Sequence, residues 1–151
     1  VAARIDPDVR AALTELVFEF ARRVDIEQGR GTELLFLPDG YYQYDGRAEH
    51  GRDDIRAAYD RRRARGERTA RHVFTNLTFA RGSDGHLNGR SLMILFAADG
   101  PAPIDSAAPI VVGDVVDVYA EHEGGFLLAH RVITPVFVDH SRPAVLPLGT
   151  Q

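Results

Sequence analysis

One change of hydrophobic period constrains this chain more than anything else in it. Before residue 66 the apolar side chains fall into two helical patterns around a short aromatic segment, and from Thr69 onward they alternate with a period of two. Helices followed by consecutive strands define an α+β layer, in which the helices cover one face of a curved antiparallel sheet. Such a sheet, folded around helices, leaves a cone with a mouth, lined by alternate residues of several strands and the inner face of the first helix.

The first helix is predicted over about 7–28. Asp6-Pro7-Asp8 supplies a capping carboxylate and a proline in the first turn, and Leu13, Leu16, Val17, Phe20 and Val24 follow at helical spacing. Asp25 falls at the edge of that apolar stripe, where a buried carboxylate needs a partner. GRG at 29–31 breaks the helix, LLFL follows, and Pro38-Asp39-Gly40 turns into the aromatic arm YYQYDG. A second helix starts at His50-Gly51-Arg52-Asp53-Asp54, carries Ile55, Ala58, Tyr59 and Arg62 on one side, and stops at Gly66. Strands are expected at 72–80, 89–98, 111–122 and 126–138, separated by turns at 83–85 and 123–125 and by a loop holding Pro101, Pro103 and Pro109. The tail, 139–151, reads as irregular, and the whole of 1–151 as one domain.

Composition removes several chemistries. The chain has no cysteine, so no thiolate nucleophile, disulfide or cysteine-ligated metal, and its 18 basic residues are all arginine, so no lysine Schiff base. A net charge of −4 argues against a nucleic-acid surface. The one dense basic run, RRRARGER at 61–68, reads as a solvated face whose cations favour a helix C-terminus. No apolar run reaches membrane-spanning length, and VAARIDPD lacks the pattern of a signal peptide, so a cytoplasmic location is expected. His86, His122 and His140 form no metal-ligand spacing, and no glycine-rich nucleotide loop occurs, so neither a metal nor a cofactor is expected.

The pair that could carry chemistry is Asp25 and His72. A carboxylate bonded to one imidazole nitrogen fixes the tautomer and makes the other nitrogen a general base. By spacing alone, His72 reads first as a satisfied core or strand-end histidine and Asp25 as a helix-end charge. Strand parity puts His72, Phe74 and Asn76 on one face and Val73, Leu77 and Phe79 on the other.

The ordering Val24-Asp25, LFLPDGYYQYDG at 35–46, GRDDI at 51–55, RHVFTN at 71–76 and the terminal GGFLLAHRVITPVF resembles the SnoaL-like branch of the nuclear-transport-factor-2-like superfamily, over roughly residues 8–138. The resemblance implies that superfamily's cone fold. Its scytalone dehydratase, bile-acid 7α-dehydratase and hexachlorocyclohexane dehydrochlorinase members pair an Asp on the first helix with a His where HVFTN stands. By that similarity Asp25 orients and His72 abstracts a proton, Tyr44 or its same-face neighbour Tyr42 polarises a substrate oxygen, and Arg131 meets a leaving group or oxyanion. An inward Arg131 is costly unless it meets an acid, and His130 then faces away. Phe20 stands where those dehydratases keep a polar residue, and GRSLMILFAA at 89–98 offers no second acid, which leaves a single-base proton abstraction.

Phe20, Val24, Tyr42, Phe74, Asn76, Met93 and Leu95 are the expected substrate-binding residues, suited to a small hydrophobic molecule. The resulting expectation is a cofactor-independent lyase or isomerase acting on a cyclic substrate. Alternatives on the same fold are a non-catalytic binding protein, a ring-hydroxylating dioxygenase β-subunit-like partner, a polyketide cyclase, or an epoxide hydrolase built on Asp25, Arg131 and Asp117. Apolar strand faces left outside the cone imply a homodimer or homotrimer.

Overall fold

The computed structural model describes residues 4–142. Helix α1 (Pro7–Asp25) begins where Asp6 caps it, its carboxylate accepting from the Asp8 amide at 2.8 Å. It ends three residues earlier than expected, because Gln28, Gly29 and Gly31 all take positive φ and reverse the chain. At Gly29 the reversal also needs the missing side chain, since a Cβ there would lie 2.3 Å from the Tyr59 ring. A single tight turn, Thr32–Leu35, leads into β1 (Phe36–Tyr44), which hairpins through Asp45-Gly46 into β2 (Arg47–His50). Helix α2 (Gly51–Ala64) follows, then β3 (Arg68–Arg81), β4 (Leu87–Asp99), β5 (Val111–His122) and β6 (Gly125–Val138).

The six strands form one sheet in the order β2-β1-β6-β5-β4-β3. The last four make the antiparallel meander that the period-two pattern predicts, while β1 pairs with β6 in parallel, so the sheet is mixed. That parallel pairing sets Tyr42 beside Arg131, and the antiparallel β5–β6 register sets Asp117 across from Arg131. Both helices pack on the concave face, burying Leu13, Val17, Phe20, Ile55 and Tyr59 against Phe36, Phe74, Met93, Leu95, Val115 and Ile133. Phe20 sits at the centre of this core, edge-on to Phe36, Tyr42 and Phe74 at 6.4, 5.8 and 6.2 Å.

One expectation of strand parity is overturned within β3. Thr75 pairs with Leu92 but Thr78 pairs with Arg90, so β3 carries one extra residue, a bulge at which Asn76 adopts φ 55°. The bulge inverts the alternation. Asn76 is exposed instead of sharing the face of His72 and Phe74, and Leu77 and Phe79, expected outside, turn in against the core. Residues 139–142 of the tail form turns, and the remainder of that segment lies outside the described residues.

Candidate active site

The concave face holds a narrow cavity, open to solvent at its mouth and lined by residues of α1 and the turn after it, β1, α2, β3 and β4. Its apolar wall is Val24, Ala70, Leu95 and Ala97, and its polar groups are Gln28, Tyr42, Tyr59, Arg62, Arg68 and His72.

Asp25 and His72 meet at its edge. The Asp25 carboxylate accepts twice from the same residue, with Oδ2 2.8 Å from the His72 backbone amide and Oδ1 2.6 Å from ring Nδ1. Both side chains are nearly sealed, 6 % exposed for His72 and 7 % for Asp25. Since a carboxylate only accepts, Nδ1 supplies the hydrogen of this bond, and His72 is among the residues that line the cavity. Two features hold this geometry. The Gln28 amide brackets the backbone of Arg68, donating to its carbonyl at 2.9 Å and accepting from its amide at 3.4 Å, which ties the end of α1 to the start of β3. Arg63 secures that reversal in turn, donating to the Gln28 carbonyl at 3.1 Å.

Tyr42 and Tyr59 both line the cavity, and burial raises both phenols above their ordinary range, Tyr59 the further. They therefore stay protonated and present O–H groups within the cavity wall. Tyr44 lies half-buried outside that wall, its phenol pushed up to about 12 by burial. Between the two tyrosines named from the sequence, the structure puts Tyr42 at the cavity.

Arg131 is fully buried but does not line the cavity. Its Nε and Nη2 donate to Asp117 at 2.8 and 2.7 Å, and Tyr119 donates to the same carboxylate at 2.9 Å. Burial works against the Arg131 charge, but the Asp117 carboxylate outweighs it and raises the guanidinium above its ordinary value. The cation lies 4.3 Å from the ring centre of Phe20 and 5.1 Å from that of Phe74, so aromatic faces meet the charge where Nη1 has no acceptor. The contact expected between Arg131 and substrate is thus taken by Asp117. Asp117, held in that pair, is not placed to join Asp25 in a hydrolytic relay. His130, one residue earlier, faces outward against Tyr41.

Of the expected binding residues, Val24, Tyr42 and Leu95 line the cavity, whereas Phe20, Phe74 and Met93 are core side chains behind it and Asn76 is outside. The sequence reading did not place Gln28, Tyr59, Arg62, Arg68, Ala70 or Ala97 at the site. A signal existed for two of them: Tyr59 and Arg62 stand three apart on the buried side of α2, and an arginine on such a face requires an explanation. Arg68 and Ala70 escaped because β3 begins four residues before the expected strand. Among the described residues no cluster of His, Asp and Glu is placed to hold a metal ion, and no helix is long and apolar enough to cross a membrane.

A mixed sheet curled around two helices, with a carboxylate-backed imidazole at the edge of the enclosed cavity, defines a cone-shaped α+β protein of the nuclear-transport-factor-2-like kind. A SnoaL-like domain model matches residues 8–132, and the chain belongs to that family, whose members include polyketide cyclases and dehydratases. Solved structures agree on the fold. ActVI-ORFA from Streptomyces coelicolor is 21 % identical, with 84 % of this chain and 97 % of that one covered and a TM-score of 0.73. A scytalone dehydratase-like protein from Novosphingobium aromaticivorans is 18 % identical, with 94 % of each chain covered and a TM-score of 0.74. A protein of unknown function with a cystatin-like fold from Nostoc punctiforme is 18 % identical, with 93 % and 98 % covered and a TM-score of 0.73. No curated protein sequence matches the chain.

Proposed function

We propose that the protein is a cofactor-independent lyase or isomerase that removes a proton from a carbon next to a carbonyl on a small cyclic substrate. The observation that carries this reading is the double acceptance of His72 by Asp25, which holds Nδ1–H and leaves Nε2 free to take a proton. In the step envisaged, the C–H proton passes to Nε2 and its electron pair moves to the carbonyl oxygen, which accepts a hydrogen bond from the Tyr42 and Tyr59 phenols. Asp25 stabilises the imidazolium. The proton then leaves with a departing hydroxyl, which completes an elimination, or returns to a different carbon, which completes an isomerisation.

A probe ketone, 2-tetralone, tests the base without knowledge of the natural substrate. Wild-type protein is expected to accelerate exchange of its C1 protons in D2O, followed by NMR, and His72→Ala to lower that rate by about 10²–10⁴-fold. Asp25→Asn should fall in the same range with the fold intact. Its amide oxygen can still accept from the His72 backbone, but its NH2 then faces Nδ1 and forces the hydrogen onto Nε2. Variants that kept the wild-type exchange rate would overturn the dyad.

A further inference from the structure

The basic run at the end of α2 does not behave as one solvated face. Arg61 pairs with Glu49 at 3.6 Å, and Arg63 is held by Asp60 and by the Gln28 carbonyl. Arg62 turns inward. Its side chain is 10 % exposed and lines the cavity, and Nη1 donates to the Gly66 carbonyl at 3.1 Å, which is the usual service of a cation to a helix C-terminus. Nη2 is buried without a hydrogen-bond acceptor. The nearest carboxylate oxygen, Oδ1 of Asp99, stands 3.9 Å away, beyond hydrogen-bonding reach, and already accepts from Arg68 at 3.1 Å. Asp99 thus serves Arg68 before Arg62, and its carboxylate is itself 64 % exposed. Burial first, and Arg68 second, lower the pKa of Arg62, so its charge is poorly compensated as the site stands. A sealed N–H donor without an acceptor is costly, and an arriving anion removes that cost.

Resting on the reading of this cavity as the active site, we propose that Arg62 is its anion handle and that the substrate is a two-ring carboxylic acid. Nη2 of Arg62 takes the carboxylate, beside Arg68, while a ring carbon faces His72. The register of β3 sets the size. Arg68, Ala70 and His72 alternate along one face, so the Cα atoms of Arg68 and His72 are separated by roughly 13 Å at about 3.3 Å per residue. A carboxylate held near Arg68 and Arg62 therefore reaches His72 across two fused rings, over the apolar wall of Ala70, Leu95 and Ala97. A carboxylate fits better than a phosphate, because one free guanidinium edge against an apolar wall offers too few donors for a dianion.

The test compares 2-naphthylacetate with its neutral isostere 2-naphthylacetamide, with affinities from calorimetry and the His72 ring signals in NMR reporting the place of binding. The acid is expected to bind wild-type protein about tenfold more tightly than the amide, with both probes shifting the His72 signals. Arg62→Gln should bring the two affinities within about twofold by weakening the acid alone, and Asp99→Asn, which removes the competing carboxylate, should strengthen the acid about threefold. Equal affinities in wild type, or a preference that survives Arg62→Gln, overturn the handle and leave the pocket reading standing. If Arg62→Gln fails to fold, an acid affinity unchanged by Asp99→Asn overturns it as well. If neither probe shifts His72, the pocket reading falls and the handle with it.

Discussion

At the scale of single residues, the chain separates two buried acid-base pairs by what surrounds them. His72 lines the cavity, and Asp25 holds it through Nδ1. Asp117 and Arg131 are sealed in the core, and their hydrogen bonds are used on each other and on Tyr119. The second pair is structural, and its removal should show in stability. Arg131→Met leaves the Asp117 carboxylate buried and uncompensated, with an expected loss of about 3–5 kcal/mol in urea unfolding. Replacing the whole group, Arg131→Met with Asp117→Leu and Tyr119→Phe, should recover most of that loss, because apolar side chains of similar volume carry no desolvation cost. The sequence showed that an inward Arg131 needs an acid, but not which acid. Asp117 lies on the neighbouring strand, fourteen residues away, and only the β5–β6 register sets it opposite.

At the scale of elements, the bulge in β3 is what makes one strand serve two purposes. Before Asn76, the inward residues Ala70 and His72 face the cavity, with Phe74 in the core behind it; after it, Leu77 and Phe79 continue the core with opposite parity. Asn76 holds the bulge because a short polar side chain tolerates φ 55° far better than a β-branched one. Asn76→Gly is therefore expected to change stability by less than about 0.5 kcal/mol, and Asn76→Val to cost about 1–2 kcal/mol, both read by thermal or urea unfolding. Equal effects of the two would show that backbone strain does not govern the position. The alternation in ARHVFTNLTF was legible as strand, yet the extra residue was not, since a bulge is defined by the partner strand and the partner is remote in sequence.

At the scale of the whole molecule, the cavity persists because small residues keep it open in an otherwise filled core. Ala97 lines it from β4, and Ala97→Leu should occupy part of the space, leaving the melting temperature unchanged or slightly raised while cutting exchange of 2-tetralone by about tenfold or more. A large fall in stability would mean that the site has no room to fill. The order of elements, the four-strand meander and the α+β class are written in local periodicity, helix caps and turn residues, all of which act within a few positions along the chain. Asp25 and His72 could be singled out by type and place, one at the edge of an apolar stripe and one on a half-buried strand. Their contact, the parallel docking of β1 on β6, the loss of Arg131 to Asp117 and the inward turn of Arg62 were decided by tertiary structure alone. Each depends on the meeting of groups on different elements of the fold, and burial sets the energy of a charge only once its neighbours are in place.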